Sequence, residues 1–332
     1  MNRVLCCALS SDKGPHIESL PENGFVCDIV DPSLDLWDPE QLTSCLRGYD
    51  AVIAGSEPYP EQVISGCPQL RVIARAGVGY DAVDLKACDR SGVVVTTTPG
   101  VNHHAVAEQA IALIVALSRN IVLRDRQVRA GVWERVSGPR LWGQILGLIG
   151  LGRIGQAVAI RGRGLGMNVI AADPFVSKEV AEAAGATLVS LDEVLETSDF
   201  LSLHSPVDDA THRLINEETI SRMKSGAILV NTARGQLVDE DALISALQDG
   251  HLGGAGLDVF DSEPLATGSP LIGMDNVILS GHIAGLDNES HRDTYQMIVD
   301  TLVQLRDGEW PTEQIRNLDG VSDWKWQLSP SA

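Results

Sequence analysis

Residues 145–155 read Ile145-Leu-Gly-Leu-Ile-Gly150-Leu-Gly152-Arg153-Ile154-Gly155, an apolar strand run that breaks into three spaced glycines. The spacing assigns each glycine a task. Gly150 allows the tight turn, Gly152 lets a pyrophosphate approach the backbone, and Gly155 lets the following helix close on the strand. The free N–H groups at that helix start face the phosphates. A second apolar strand, Asn168-Val-Ile-Ala-Ala-Asp173, places Asp173 at its end, where a carboxylate accepts hydrogen bonds from ribose hydroxyls. The same carboxylate repels a 2′-phosphate, and no Arg or Lys follows until Lys178, so the reading favours NAD over NADP.

Working outward, strand runs at Phe200–Leu203, Ala227–Asn231, Gly254–Leu257 and Val277–Leu279 alternate with helices near 153–165, 177–184, 217–223 and 239–249. Six strands make a full dinucleotide-binding sheet. Upstream, Val4–Leu9, Val26–Val30, Ala51–Ala54, Val72–Ala74 and Val93–Thr96 read as a first parallel sheet with short crossover helices at 61–66 and 84–90. One long helical pattern starts near His104 and runs toward Arg129, and a last one spans Ser290–Asp307. The second sheet is complete before that last helix, so the helix is expected to return to the first domain, making it discontinuous. The tail from Trp310 is expected to dock on the surface or fray.

The 332 residues are 44% apolar and 21% charged, a globular balance. A formal charge of −20 argues against general nucleic-acid binding and an anionic membrane face. No apolar run approaches the length of a membrane span, and the first residues lack a cleavage pattern, so the expected compartment is the cytoplasm. The six cysteines all precede residue 90 with no CxxC pair, which reads as free thiols, and no metal site is expected. Between Arg119 and Arg163 nine arginines face only Asp125 and Glu134, a positive zone beside the glycine loop.

Three further stretches lie at strand ends, where open α/β sheets hold ligands: Val230-Asn-Thr232-Ala233-Arg234-Gly, Leu257-Asp258-Val-Phe-Asp-Ser-Glu263-Pro and Ser280-Gly-His282-Ile-Ala-Gly285. An Arg, a Glu and a His in this setting suit hydride transfer at a 2-hydroxy or 2-oxo acid. The Arg forks onto carboxylate and carbonyl oxygens, the His passes the hydroxyl proton, and the Glu orients the His and favours imidazolium.

With these stretches, Arg75-Ala-Gly-Val78-Gly79, Thr98-Pro-Gly-Val-Asn102, Ala107-Glu108 and Leu203-His204-Ser205-Pro206, the chain resembles the D-isomer-specific 2-hydroxyacid dehydrogenases from about Asp50 to Arg306. The resemblance implies a Rossmann NAD domain (100–286) inserted into a flavodoxin-like substrate-binding domain (1–99 and 287–332), both doubly wound parallel α/β sheets. It implies Arg234, Glu263 and His282 as catalytic residues. Gly150, Gly152, Arg153, Ile154, Gly155, Asp173, His204, Ser205, Pro206, Thr232, Ala233, Asp258, His282 and Gly285 would touch NAD. Val78 and Gly79 would hold the substrate carboxylate through their backbone, and Asn102 and Arg234 would also bind the substrate. The acid would enter between the domains. The helix near 104–120, with its apolar run Ala110–Leu117, would pack across a homodimer formed through the NAD domain, although an ordinary core helix reads the same way.

The substrate is open at this level. Arg75 and Trp133-Glu-Arg135 resemble the basic residues that phosphoglycerate dehydrogenases present to a phosphate, yet Gly55 stands where many carry another Arg. A substrate with a second anionic group would make Arg75 and Arg135 matter for KM. Hydroxypyruvate or glyoxylate reductase is the alternative. No C-terminal regulatory module is expected after the last helix. Arg153-Ile-Gly-Gln-Ala-Val-Ala, His212-Arg-Leu-Ile-Asn216 and Asn231-Thr-Ala-Arg-Gly also resemble the C-terminal-binding-protein corepressors, NAD(H)-binding scaffolds, but Gly285-Leu286 stands where those carry an aromatic.

Overall fold

The computed structural model describes residues 2–8, 12–135, 137–319 and 324–326. Two compact units emerge, one of residues 1–102 with 287–332 and one of residues 103–286.

The first unit opens with β1 (Asn2–Cys6), α1 (His16–Glu22), β2 (Phe25–Ile29), α2 (Pro39–Leu46), β3 (Ala51–Ala54), α3 (Glu61–Ser65), β4 (Val72–Arg75), α4 (Leu85–Ser91) and β5 (Val94–Thr96). Its five strands run in parallel in the order β2-β1-β3-β4-β5, the flavodoxin-like arrangement expected. Strand residues alternate between two cores. Val4, Ile53, Val72 and Val94 face one, and Leu5, Val52, Ile73 and Val95 face the other. A parallel sheet covered on both faces needs such unbroken apolar strands.

The second unit contains α5 (His103–Ser118), α6 (Ile121–Arg129), β6 (Ile145–Ile149), α7 (Arg153–Gly164), β7 (Asn168–Ala172), α8 (Lys178–Ala183), β8 (Thr187–Leu188), α9 (Leu191–Thr197), β9 (Phe200–Leu203), α10 (Glu217–Arg222), β10 (Ile228–Asn231), α11 (Glu240–Gln248), β11 (Gly254–Leu257) and β12 (Val277–Leu279). Its order is β12-β11-β10-β9-β6-β7-β8, all parallel, with the strand-order reversal beside β6. That reversal is where a doubly wound sheet opens a ligand crevice. The chain then returns to the first unit as α12 (Asn288–Asp307), whose Tyr295, Ile298, Val299, Leu302 and Leu305 complete the core over one face of the first sheet.

Several expectations are corrected. The single helix toward Arg129 is two helices bent by 59° at Arg119–Asn120, because Asn120 takes a left-handed φ of 51°, which Asn tolerates better than most residues. The second sheet has seven strands, not six; β8 is two residues long and too short to show periodicity. Three helices escaped the sequence reading: α1, which carries Pro21 inside it, α2 and α9. The first strand begins two residues earlier than read and ends at Cys6, and Leu9 lies outside the described residues. The described part of the tail docks: Thr97 N–H donates to Gln314 O, Arg316 N–H to Val95 O, and Val95 N–H to Asn317 Oδ1. No single helix among the described residues is long and apolar enough to cross a membrane; α5 and α6 meet that test only as a bent pair.

Candidate active site

The glycine loop behaves as its spacing requires. Gly150 has φ 92°, and a Cβ there would lie 2.7 Å from the His204 backbone. Gly155 must lack a side chain because its Cβ would sit 2.3 Å from Gly150 O, so α7 could not close on the loop. At Gly152 an added Cβ meets nothing within 4 Å. This residue is the N-cap of α7 and offers no side-chain cap. Open space in front of uncapped N–H groups is what a pyrophosphate needs. Arg153 begins α7 on the exposed side, and Ile154 is half-buried beside it. Asp173 Oδ2 accepts from Leu151 N–H at 2.7 Å, and its Oδ1 accepts from Phe175 N–H at 2.8 Å. The Asp173 carboxylate is thereby tied to the glycine loop through Leu151.

Buried polar atoms point to the same ligand. His204 Nδ1, Ser205 Oγ and Thr232 Oγ1 are enclosed without a hydrogen-bond partner among the described residues. Such orphans are costly unless something polar completes them. His204 Nε2 lies 2.9 Å from Ser202 Oγ, and burial pushes the imidazole down to about 3, so it stays neutral near the cofactor loop. Pro206 is exposed, Ala233 and Gly285 are half-buried. This donor set and the open glycine loop fit a dinucleotide.

Beyond the loop, the three strand-end stretches meet. His282 Nδ1 is 2.7 Å from Glu263 Oε2, and both side chains remain partly exposed. Phe260 N–H donates to Glu263 Oε1 at 3.1 Å. Burial works to raise the Glu263 carboxyl, but the His282 hydrogen bond and charge, the Phe260 N–H and the Arg234 charge outweigh it, holding it below its ordinary value. Arg234 Nη1 donates to Ala233 O at 2.6 Å. The turn that presents Arg234 is closed by Asn231, whose Nδ2 donates to Arg234 O at 2.8 Å while its Oδ1 accepts from Ala233 N–H.

His282 itself has φ 56°, a left-handed conformation that costs a residue with a Cβ roughly 1–2 kcal/mol. Asp258 holds it there. Its carbonyl accepts from His282 N–H at 2.7 Å, and its buried carboxylate accepts from Ser280 Oγ, Ile283 N–H and Ala284 N–H. Asp258, expected only at the cofactor, is the clamp of the loop that carries His282.

Two other contributors also went unread in the sequence. Gly235 lies so close to the next loop that a Cβ would fall 1.9 Å from the Phe260 carbonyl. Asn231 gives a signal in retrospect, since an Asn at a strand end commonly closes a turn on its own backbone.

In the first unit, Val78 is exposed and Gly79 half-buried. Among the described residues neither N–H has a hydrogen-bond partner, leaving two adjacent donors for a carboxylate. Thr98 N–H donates to Gly77 O, and Arg75 Nε donates to Gly79 O at 3.0 Å, so at least part of Arg75 shapes the loop. Asn102 is half-buried, and Arg135 is exposed after α6. Within the positive zone, Arg126, Arg129 and Arg161 pair at the surface with Asp275, Asp125 and Glu108.

Comparison with known proteins agrees with this geometry. Residues 111–284 match the family described as D-isomer specific 2-hydroxyacid dehydrogenase, NAD binding domain. A glyoxylate reductase of Korarchaeum cryptofilum is 38% identical over 88% of this chain and 92% of its own length. A D-3-phosphoglycerate dehydrogenase of Archaeoglobus fulgidus is 40% identical over 87% of this chain but 56% of its own length. Among solved structures, the TT0316 protein of Thermus thermophilus superposes with a TM-score of 0.85 at 36% identity, covering 94% of this chain and 99% of its own. A D-lactate dehydrogenase of Aquifex aeolicus, complexed with NAD and lactic acid, has a TM-score of 0.82 at 30% identity, covering 95% and 98%. The chain belongs to the D-isomer-specific 2-hydroxyacid dehydrogenases, NAD-dependent oxidoreductases.

Proposed function

We propose that this protein reduces a small 2-oxo acid to the D-2-hydroxy acid at the Arg234–Glu263–His282 site. The observation that carries the reading is the 2.7 Å His282–Glu263 pair, on loops fixed by Asp258 and Gly235 beside a loop that fits NAD. When bound, NADH supplies the hydride that adds to C2. Gly150, Gly152, Gly155, Asp173, His204, Ser205 and Thr232 would hold it. Arg234 binds the carboxylate and carbonyl oxygen of the acid, and the first unit, taken by itself, offers the adjacent Val78 and Gly79 N–H groups to a carboxylate. His282, protonated and oriented through Nδ1 by Glu263, gives its proton to the carbonyl oxygen as negative charge develops there. The balanced step consumes one 2-oxo acid, one NADH and one proton, and yields one 2-hydroxy acid and NAD.

Relatives carry both the glyoxylate reductase and the phosphoglycerate dehydrogenase name, so the group on C2 is either uncharged or a second anion. NADH oxidation followed at 340 nm against glyoxylate, hydroxypyruvate, phosphohydroxypyruvate, pyruvate and 2-oxoglutarate, with NADPH in parallel, tests the reading. Turnover of at least one acid with NADH preferred supports it. Silence across the panel by protein that binds NADH overturns it.

A pH profile tests the pair separately. Because the folded-state value of Glu263 is lowered, its ionised form contributes fully above the ordinary carboxyl value and is lost only as pH falls through the folded value. In Glu263→Gln no carboxylate is left to protonate, so the acid-side loss that follows Glu263 is expected to vanish, with kcat/KM lower throughout by about tenfold or more. An acid limb kept unchanged in the variant removes Glu263 from this role.

The same reading takes the protein to be a cytoplasmic homodimer built through the NAD-binding unit. Ala110, Leu113, Ile114 and Leu117 of α5 are buried in that unit's own core. The exposed apolar side chains that support an interface lie just beyond: Ile121, Val122 and Val128 on α6, then Val132 and Trp133.

A further inference from the structure

A buried carboxylate stands at the strand ends of the first unit without a part in the chemistry above. Glu57, three residues beyond the end of β3, is 2% exposed. Its Oε1 accepts from Gly55 N–H at 2.9 Å and from Tyr59 O–H at 2.7 Å. Tyr59 is fully buried. Burial and then the Glu57 charge keep its hydroxyl well above the ordinary phenol value, so it remains a donor, and the Arg75 charge acts on the same hydroxyl in the opposite sense. Ala54, at the end of β3, lies directly opposite Arg75, at the end of β4. Arg75 in turn donates to Gly79 O, in the loop whose N–H groups await a carboxylate.

The two loops are one assembly. Tyr59 N–H donates to Ala82 O and Asp84 N–H donates to Tyr59 O, so the Glu57 turn is sewn to the chain that leaves Gly79. Position 55 is glycine, and any side chain there would have to displace Glu57. A Cβ there would lie 2.7 Å from Glu57 Oε2 and 3.3 Å from Ala8 Cα. Buried ions need partners, and Arg75 is the cation whose charge reaches the same Tyr59 hydroxyl as Glu57.

We propose that Glu57 determines substrate charge: beside Arg75, its carboxylate cancels the positive charge a second anionic group would need, so the protein takes 2-oxo acids whose remaining substituent is uncharged. The proposal rests on the dehydrogenase reading above and names its substrate class. An acid held through its carboxylate by Val78 and Gly79 lies in the loop that Arg75 shapes, and with Arg75 comes the opposing charge of Glu57. There a phosphate or second carboxylate gains from Arg75 only what Glu57 does not offset, and meets Glu57 as a like charge.

Hydroxypyruvate and phosphohydroxypyruvate differ only in the phosphate on C3, so their kcat/KM ratio reads this charge directly. The unaltered protein is expected to favour hydroxypyruvate by about 100-fold or more. E57Q keeps the size and an acceptor oxygen, and should narrow the ratio at least about tenfold, through KM of the phosphorylated acid. A merely structural Glu57 would depress both acids alike. Preference of the unaltered protein for phosphohydroxypyruvate, or an unmoved ratio in folded E57Q, overturns the proposal. Should E57Q fail to fold, product inhibition of the unaltered protein decides. 3-Phospho-D-glycerate is expected to inhibit no better than D-glycerate, and tenfold tighter inhibition by the phosphorylated acid overturns the proposal. Absence of turnover with every acid is a different result, which overturns the dehydrogenase reading itself.

Discussion

His282→Ala is expected to lower kcat for 2-oxo acid reduction by roughly 10²–10⁴-fold, with NADH affinity changed little. The expectation follows from the ring's two nitrogens. Nδ1 is committed to Glu263 at 2.7 Å, which leaves Nε2 as the proton donor toward substrate. Alanine at φ 56° adds backbone strain, so a kcat loss could be charged to the loop. His282→Asn answers that, because Asn occupies the left-handed region readily and cannot act as the acid. Equal losses in the two variants, measured with NADH fluorescence titration alongside kcat, assign the effect to the proton. Near-normal turnover in either variant overturns the assignment.

Gly235→Ala is the second large effect, and it involves no group that touches substrate. A Cβ at 235 would stand 1.9 Å from both the Phe260 carbon and oxygen and 2.4 Å from Asp261 N. Backbone cannot yield as a flexible side chain does, so the two loops must part by more than 1 Å. Arg234 sits on one loop and Glu263 on the other. A displacement of that size in positioned groups costs about 10²-fold, and kcat/KM for the best acid is expected to fall by that factor. Overpacking is expected to destabilise the fold by about 1–3 kcal/mol, read from a urea midpoint. NADH binding should fall far less than kcat/KM, since of the residues proposed to hold NADH only Thr232 lies near the displaced loop. Unaltered kcat/KM would mean that the spacing of these loops does not set the Arg234–Glu263 geometry.

Local pattern carried the glycine loop, the parallel strands and the three strand-end stretches, because each is a contiguous run whose meaning depends on its own spacing. Gly150, Gly152 and Gly155 could be assigned roles before any coordinates, and the structure shows a turn, an open face and a close contact at those positions. What escaped was set by partners distant in sequence. Gly235 is an ordinary glycine until Phe260 is placed against it. Asp258 looks like a cofactor residue until its carboxylate is seen holding Ile283 and Ala284. Glu57 lies in a run with no motif, and its significance depends on Tyr59 and Arg75. The break after Ser118 escaped for a different reason: helical periodicity continues across it, and one residue's backbone conformation decides the bend.

The first unit is built from both ends of the chain, and this has a consequence during synthesis. Its sheet emerges from the ribosome first, yet the face formed by Val4, Ile53, Val72 and Val94 is covered by Tyr295, Ile298, Val299 and Leu302 of α12. Residues 103–286 must be made in between. At ordinary rates of translation that interval is roughly 10–40 s. For that time the nascent chain carries an uncovered apolar sheet face, a surface for chaperones to shield, while the dinucleotide-binding half has all its strands and can fold first.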